Sequence, residues 1–438
     1  MNSQTRNEKI NEPYLLIEGG HAITGEMEAS GAKNAALPIM AGAILAPGRL
    51  CLCRVPDISD VRIMKDILLF LGASAEFESE GCLKIDTTEV KNIQAPYSLV
   101  KKLNASFDIT GAIVARFGEA VVPLPGGCVI GTRAVDLHLD GFRALGCEVA
   151  QEPGGFIKVK AKSLSGARIH FAKTSVGATK NVMMAACLAR GRTILENVAR
   201  EPEVVDLANF LNACGARITG QGTSRIEILG VREMSGEGVR YDIISDRIEA
   251  GTFLLASAIT GGELKITGIN PDFLKTFLRK LVKAGQDVDM GDDYVYIKSV
   301  RPIKPVGAVI TEPYPGFPTD LQPPIVSFLA LARGVCYVKE KIFDMRFNYV
   351  DDLRRMGANI TMEGNTAVIR GVDKLLGAPV DAPDIRAGAA LIIAALAAEG
   401  KSEVYGLQYI DRGYQKIEER LAKLGASIRR ITPDVYRD

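Results

Sequence analysis

The sequence predicts an α+β protein in which buried helices are surrounded by short strands, with six copies of one structural unit divided between two domains. Its 438 residues exceed what one ordinary hydrophobic core accommodates, so two or three domains are expected. A glycine that closes an apolar helix recurs at intervals of 66 to 73 residues, as Gly48, Gly118, Gly191, Gly262, Gly334 and Gly400. A glycine that closes a second helix recurs at intervals of 68 to 74 residues, as Gly72, Gly146, Gly215, Gly285, Gly357 and Gly425. Repeats of this length and number favour closed pseudo-symmetric domains over a solenoid.

Each repeat is predicted to contain two helices and about four short strands. The first helix is apolar on nearly every side, as in VMMAACLA and AALIIAALAA, and such a helix must be buried. The second is amphipathic, as in IEERLAKLGA. We therefore expect helices inside and strands outside, with three repeats around each core. At the amino end, residues 16–28 are predicted to form a short strand pair.

Composition and charge narrow the class of protein. The chain is 47% hydrophobic and 24% charged, with a net charge of +1, which is typical of a globular protein and gives no reason to expect nucleic acid or an anionic membrane as a partner. The longest apolar run, residues 387–398, is too short to cross a bilayer. The first residues lack the apolar segment of a signal peptide, so a cytoplasmic protein is expected.

Polar residues stand at the predicted helix starts. For the buried helices they are Lys33, Asn34, Asn104, Ser175 to Gly177, Asp246, Arg247, Thr319, Asp320 and Asp384 to Arg386. For the second helices they are Asp60, Arg133, Glu203, Asp272, Arg346 and Arg412. If the repeats are pseudo-symmetric, these helix starts converge, and helix N-termini with added arginines suit phosphate or carboxylate. Ordinary helix caps and surface ion pairs are the alternative, which we favour for Asp60, Glu203 and Asp272. Asp246 and Asp384 each precede an arginine at a helix start and are predicted to cap the helix and pair with that arginine.

Two residues are candidates for chemistry. Cys128 follows a segment rich in proline and glycine, residues 123–127, which neither a helix nor a central strand can include, and Arg133 nearby favours its thiolate. An incidental cysteine in a turn is the alternative. Asp320 lies between Pro318 and Pro323, in a rigid segment that can hold a carboxylate against a substrate as a general base.

No cofactor or metal is predicted. The eight cysteines form no CxxC pair, and Cys51 and Cys53 alternate on a predicted strand, so most cysteines are expected to be reduced packing residues. The three histidines, His21, His138 and His170, form no pair at metal-ligand spacing, and no phosphate loop or dinucleotide fingerprint is present.

With these residues assembled, the chain closely resembles the enolpyruvyl transferase family from about residue 16 to residue 430. The motifs that carry the resemblance are SGAKNAALP from Ser30, LPGGCVIGTRAVDLH from Leu124, SVGAT from Ser175, REPEVVDLANF from Arg200, DRIEAGTF from Asp246, FPTD from Phe317 and DRGY from Asp411. The resemblance implies a two-domain inside-out α/β barrel of six βαβαββ-type repeats, three per domain. It implies a first domain of residues 33–245 that carries the Cys128 loop, a second of residues 1–32 and 246–438, and an active site in the cleft between them.

The family also implies a reaction. The enolpyruvyl group of phosphoenolpyruvate would move to the 3-hydroxyl of UDP-N-acetylglucosamine with release of phosphate, the first committed step of peptidoglycan precursor synthesis. The implied partners are these two substrates, without nucleic acid or membrane, and the protein would be a monomer or weak homo-oligomer. Cys128 would act as general acid and could form a covalent adduct, Asp320 would deprotonate or position the hydroxyl, and Lys33 and Arg412 would neutralise developing charge.

The resemblance assigns binding residues as well. Those implied for phosphoenolpyruvate are Lys33, Asn34, Arg133, Arg386 and Arg412. Those implied for the UDP-sugar are Asn104, Arg133, Ala134, Val135, Asp136, Leu137, Lys173, Thr174, Ser175, Val176, Gly177, Asp320 and Ile342.

Three positions depart from the family pattern. Asn104 stands where an arginine is expected, Ala134 replaces a proline and Met345 replaces an asparagine. Two alternatives therefore stay open: a transferase acting on a different nucleotide hydroxyl, such as that of UMP, in a natural-product pathway, and a catalytically silent relative that binds the nucleotide and regulates a partner.

Overall fold

The computed structural model describes residues 12–79, 81–124 and 135–433. These residues divide into two compact units. The first unit contains residues 30–124 and 135–246, and the second contains residues 12–29 and 247–433. Each unit has a hydrophobic core of its own. Among the described residues, no helix has the length and apolar character needed to span a membrane.

The first unit contains three sheets. In sheet order, their strands are Arg240–Asp242, Arg49–Cys53, Cys82–Asp86 and Ser74–Ser79; Ile218–Thr219, Arg225–Leu229, Arg192–Glu196 and Arg168–His170; and Glu119–Pro123, Phe156–Lys160 and Glu148–Glu152. Its α-helices are Lys33–Gly42, Ser59–Leu71, Tyr97–Val100, Ile109–Phe117, Asp136–Ala144, Val176–Ala186 and Pro202–Ala213. Short 3-10 helices cover Ala43–Leu45 and Asn104–Asp108.

The second unit repeats this organisation with three four-stranded sheets. In sheet order, their strands are Pro379–Asp381, Lys401–Tyr405, Tyr14–Glu18 and Ser427–Ile431; Asp287–Met290, Tyr294–Lys298, Glu263–Thr267 and Gly25–Glu28; and Ala308–Ile310, Val335–Lys339, Thr366–Arg370 and Asn359–Glu363. Its α-helices are Arg247–Thr260, Lys275–Lys283, Gln322–Leu329, Val350–Arg355, Ile385–Ala397, Leu407–Ile410 and Ile417–Lys423, and its 3-10 helices are Pro271–Leu274 and Thr319–Leu321.

One pairing rule relates the six sheets and confirms the predicted repeats. In the five four-stranded sheets, the strand that follows the apolar helix pairs in parallel with an edge strand on one side and antiparallel with another strand on the other. The antiparallel partner comes later in the chain in four of these sheets and is Tyr14–Glu18 in the fifth. The sheet with three strands follows the same rule, because Gln94 forms a parallel bridge with Val121 where a fourth strand would pair. The glycines of the second series all adopt left-handed φ values, from 83° to 105°, which end a helix and favour glycine.

The prediction of buried apolar helices is also confirmed. Among the described residues, six helices, three per unit, bury most of their residues and have no exposed one. They are Lys33–Gly42, Ile109–Phe117, Val176–Ala186, Arg247–Thr260, Gln322–Leu329 and Ile385–Ala397. In the second unit, all three pack on one another. Their polar first residues are thereby brought close together.

The predicted strand pair at the amino end is wrong. Both strands exist, but Tyr14–Glu18 lies between Lys401–Tyr405 and Ser427–Ile431, whereas Gly25–Glu28 pairs with Glu263–Thr267 in another sheet. Each strand completes a repeat whose other strands lie far along the chain. Local spacing, which suggested a hairpin, carries no information about such distant partners.

Candidate active site

Asp320 of the second unit is held by two arginines. Arg346 Nη2 donates to Asp320 Oδ1 at 2.8 Å, and Arg386 Nη2 donates to Asp320 Oδ2 at 3.3 Å. Both guanidinium groups are almost completely buried, while the Asp320 side chain is about a quarter exposed. The carboxylate is therefore fixed by charge-assisted hydrogen bonds and still accessible from one side.

The charges around Asp320 determine its protonation state. Burial alone would raise the pKa of Asp320, but the positive charges of Arg386 and Arg346, with a contribution from Arg247, hold this pKa well below its ordinary value. In this structure, Asp320 is therefore ionised, accepts hydrogen bonds and has a low affinity for a proton.

A chain of hydroxyl groups fixes Arg386 at the start of its helix. Arg386 Nη1 donates to the hydroxyl of Tyr414 at 3.1 Å, and this hydroxyl lies 3.0 Å from Thr252 Oγ1. Thr252 in turn donates to the carbonyl of Ile248. Asp384 caps the helix, since its Oδ1 accepts from the backbone N–H groups of Arg386 and Ala387. The predicted capping role of Asp384 is thus confirmed.

A buried glutamate connects the segment of Asp320 with Ile342. Glu340 accepts hydrogen bonds from Thr311 Oγ1, from Thr319 Oγ1 and from the backbone N–H of Ile342, at 2.7 to 2.9 Å. Two residues predicted to contact the UDP-sugar, Asp320 and Ile342, are therefore positioned by one carboxylate that sequence reasoning missed.

Arg346 and Arg412 do not begin their helices, so this part of the helix-start prediction is wrong. Arg346 precedes the helix Val350–Arg355, and Arg412 lies between the helices Leu407–Ile410 and Ile417–Lys423. The second helix of the last repeat is divided there, and Lys416 adopts a left-handed φ of 43° before the chain resumes a helix. Arg412 itself is partly buried.

Lys33 of the first unit lies in a buried ion pair. Its Nζ is 2.6 Å from Asp60 Oδ2, and the two side chains are only 9% and 2% exposed. The backbone N–H of Lys33, at the helix start, donates to Asp246 Oδ2 at 3.3 Å. Asp60 was expected to be an ordinary cap or ion-pair residue; it is the partner of a proposed catalytic lysine. Asn34 follows in the same first turn.

The segment around Ser175 begins a buried helix. Ser175 is the N-cap of Val176–Ala186 and accepts from the N–H of Ala178 at 3.2 Å. The N–H groups of the first helical turn have no intrahelical acceptor, and such groups bind anions. Upstream, Lys173 is exposed, and Thr174 donates to Asn197 Oδ1 at 3.1 Å.

His138 lies against Gly177 and was not recognised from the sequence. A β-carbon at Gly177 would come within 3.0 Å of the imidazole ring, so only glycine fits there without displacing the ring. Asn181 Oδ1 accepts from the N–H of Gly111, and its amide nitrogen therefore faces His138 Nδ1 at 3.1 Å. Burial lowers the pKa of His138 to about 4. The ring is neutral and carries its proton on Nε2, beside the helix start.

The other predicted site residues lie on further elements of the first unit or outside the described residues. Val135, Asp136 and Leu137 lie at the start of the helix Asp136–Ala144. Asn104 begins a 3-10 helix, Asn104–Asp108, rather than a buried α-helix as expected. Cys128, Arg133 and Ala134 lie outside the described residues.

The fold and the motifs place this chain among transferases that move a carboxyvinyl group. A family model described as EPSP synthase (3-phosphoshikimate 1-carboxyvinyltransferase) matches residues 17–421, and the chain belongs to this family. Within it, the chain is similar to proteins named UDP-N-acetylglucosamine 1-carboxyvinyltransferase. The protein of Geobacter metallireducens is 48% identical over 417 residues, covering 95% of this chain and 99% of its own. A second, from Carboxydothermus hydrogenoformans, is 48% identical over 421 residues, with 95% and 99% covered.

Solved structures agree on the fold. The enolpyruvyl transferase NikO from Streptomyces tendae has a TM-score of 0.87 and 26% identity, covering 96% of this chain and 99% of its own. An EPSP synthase from Acinetobacter baumannii has a TM-score of 0.73 at 16% identity, covering 96% and 100% of the two chains, a likeness of fold alone.

Proposed function

We propose that this protein transfers the enolpyruvyl group of phosphoenolpyruvate to the 3-hydroxyl of UDP-N-acetylglucosamine and releases phosphate. The observation that carries the proposal is the 48% identity, across 95% of the chain, to proteins named for this reaction. The transfer would serve peptidoglycan precursor synthesis in the cytoplasm, by a monomer or weak homo-oligomer.

The proposed chemistry is an addition followed by an elimination. In the addition, the sugar oxygen bonds to C2 of phosphoenolpyruvate while C3 takes a proton, which Cys128 supplies as general acid. In the elimination, the bond from C2 to the phosphate oxygen breaks and phosphate leaves, while C3 returns a proton to the Cys128 thiolate, which restores the double bond and the thiol. Arg412, Arg133 and Lys33 stabilise the negative charge on phosphate and carboxylate during both steps.

Asp320 is the proposed acceptor for the proton of the sugar hydroxyl, although its two arginines make it a weak base. Because Arg386 is also assigned to phosphoenolpyruvate, the substrate competes with Asp320 for this guanidinium. Weaker pairing to Arg386 raises the pKa of Asp320 towards its ordinary value and exposes one oxygen to the hydroxyl. Binding of the first anionic substrate would thus make Asp320 a better base. Arg346 retains it in position, and Arg346 Nε, which is buried and has no hydrogen-bond partner among the described residues, supports a polar ligand nearby.

The residues proposed for the UDP-sugar supply donors of two kinds. The helix start at Ser175 to Gly177 offers backbone N–H groups to the diphosphate, and the exposed Lys173 adds positive charge. Ile342 and Asp320 would position the sugar, and Glu340 links their segments because it accepts from Ile342 and from Thr319, the neighbour of Asp320.

A transferase acting on another nucleotide hydroxyl is the second candidate. It is favoured by the departures at Asn104, Ala134 and Met345 and by the TM-score of 0.87 with NikO. Identity to NikO is 26%, compared with 48% for the carboxyvinyltransferases, so the amino-sugar nucleotide is the preferred acceptor.

The test measures phosphate release from phosphoenolpyruvate with UDP-N-acetylglucosamine, with UMP and without an acceptor, and identifies the product by mass. We expect phosphate release with UDP-N-acetylglucosamine as the acceptor, and none with UMP or without an acceptor. Turnover with UMP alone would establish the second candidate, and turnover with neither would overturn both.

The role of the thiol is tested separately. Cys128→Ser should lose most activity. The family resemblance implies that fosfomycin alkylates the Cys128 thiolate, so Cys128→Asp should keep activity and lose fosfomycin sensitivity, because a carboxylic acid donates a proton but is not alkylated as a thiolate is. Unchanged turnover and fosfomycin sensitivity in Cys128→Ser would contradict the assignment.

A further inference from the structure

Three cysteine side chains of the first unit lie together, in a cluster that the proposed reaction does not use. Cys51 and Cys53 lie on the strand Arg49–Cys53, and Cys82 begins the strand Cys82–Asp86. The antiparallel register pairs Cys53 directly with Cys82, and Cys51 faces the same side because side chains alternate along a strand. The sheet therefore directs three thiols to one point.

The distances between the sulfur atoms fit the ligands of one metal ion. They are 3.3 Å from Cys51 to Cys82, 3.7 Å from Cys53 to Cys82 and 4.0 Å from Cys51 to Cys53. A zinc–sulfur bond of about 2.3 Å places two sulfurs of a tetrahedron about 3.8 Å apart. A single disulfide would use two of the thiols and leave the third without a role, whereas a metal site uses all three.

Burial and charge around the cluster also favour a metal site. Cys53 and Cys82 are buried and Cys51 is partly exposed, so the site is closed on one side and open to solvent on the other. Arg240 Nη1 lies 4.0 Å from Cys51 Sγ. Three thiolates and one Zn²⁺ carry a net charge of −1, which this guanidinium offsets.

The thiolate, not the thiol, is the metal ligand, so a metal ion that binds the cluster must displace the thiol protons.

We propose that Cys51, Cys53 and Cys82 bind one Zn²⁺ ion, with water as the fourth ligand on the side where Cys51 is exposed. Soft thiolate ligands select zinc and copper(I) over magnesium or calcium. The ion would join the strands Arg49–Cys53 and Cys82–Asp86. This site is independent of the proposed transferase activity.

The test uses the full chain with Cys128→Ala, so that this thiol contributes nothing to the signal. Reduced, chelator-treated protein is titrated with Co²⁺, and the thiolate-to-cobalt charge-transfer absorbance is recorded and then displaced with Zn²⁺. We expect one equivalent of metal per chain. Cys51→Ser should weaken binding at least tenfold, and since Cys51 is partly exposed, this variant should fold. Cys82→Ser should act in the same direction.

The matched controls are Cys147→Ser and Cys214→Ser, two free cysteines outside the cluster, which should leave the titration unchanged. Absence of a charge-transfer band, or an unchanged band in Cys51→Ser, would overturn the site. So would mass-spectrometric recovery of a disulfide within the cluster from anaerobically purified protein. Phosphate release is measured in parallel in the chain that retains Cys128, so failure of the zinc site is distinguished from failure of the proposed function.

Discussion

The first and second units use the starts of their buried helices in opposite ways. In the first unit, the cation Lys33 is held by the carboxylate of Asp60, with a second carboxylate, Asp246, at its backbone. In the second unit, the carboxylate of Asp320 is held by Arg346 and Arg386. The same type of repeat therefore holds a cation, Lys33, beside acidic residues in the first unit and an acidic residue, Asp320, beside cations in the second.

This difference shows that the fold of the repeat does not determine which charged residue stands at the helix start. The helices, their glycine ends and their sheets are shared by both units, whereas the charge at each helix start is specific to its repeat. A third acidic residue, Asp206, shows how the neighbouring groups determine the pKa. Asp206 is buried, and the donors that its carboxylate has among the described residues are neutral: the Tyr241 hydroxyl at 2.7 Å and the N–H of Ile244 at 3.2 Å. Its pKa is raised by burial to about 6, whereas that of Asp320 is lowered.

The largest expected effect is that of Asp320→Asn. The amide cannot accept the hydroxyl proton, and it leaves two buried guanidinium groups without their carboxylate, so kcat/KM for phosphate release should fall about a thousandfold. Asp351→Asn, an exposed acid paired with Arg354, is the control and should match the parent protein. A loss below tenfold would mean that Asp320 does not take part in proton transfer.

The second prediction concerns Asp60, the ion-pair partner of Lys33 in the first unit. Asp60→Asn takes away one member of a buried ion pair and should lower the free energy of unfolding by about 4 kcal/mol, measured by urea denaturation. Asp57→Asn, which breaks the exposed pair with Arg62, should change it by less than about 0.5 kcal/mol. An equal change in the free energy of unfolding in the two variants would show that burial does not set the contribution of the ion pair to stability.

The third prediction concerns pH. Because the pKa of Asp206 is about 6 in the folded state and about 3.9 when unfolded, the folded state binds more protons between these values. The free energy of unfolding should therefore fall as pH rises from 4 to 7, by about 3 kcal/mol for this group. The difference between the parent protein and Asp206→Asn isolates the effect. Asp320 should act oppositely: its depressed pKa contributes stability above about pH 4 that is lost on further acidification. A difference that is independent of pH would show that the environment of Asp206 is not as described.

The smallest expected effect is a shift of the pH profile in Arg346→Lys. A lysine lacks the forked geometry of the guanidinium, so the pKa of Asp320 should rise and the acid limb of kcat/KM should move about one unit to higher pH. Arg354→Lys, at an exposed helix position, is the control. A shift towards lower pH would contradict the electrostatic account of Asp320.

Much of the fold follows from local sequence, because the signals that define it are local. The glycine series predicted six repeats, and runs such as Leu391 to Leu396 predicted buried helices, since burial of an apolar helix needs no knowledge of its neighbours. Asp384 was predicted as a cap from its position alone, and the structure agrees.

The side-chain partners could not be predicted, because they depend on distant parts of the chain. Lys33 and Asp60 belong to successive helices, and Asp320 meets Arg386 from the next repeat. Cys82 lies 29 residues from Cys53, and only the register of two strands brings the thiols together. No spacing in the sequence marks that contact. The roles of Cys128 and Arg133 stay predictions.

The strand Tyr14–Glu18 has a consequence for synthesis on the ribosome. It lies in a sheet whose other strands are translated much later, with Leu15 and Val404 about 390 residues apart. The nascent chain therefore carries this apolar segment unpaired while the first unit emerges. Chaperone binding during translation should concentrate on this strand until Ser427–Ile431 has also emerged.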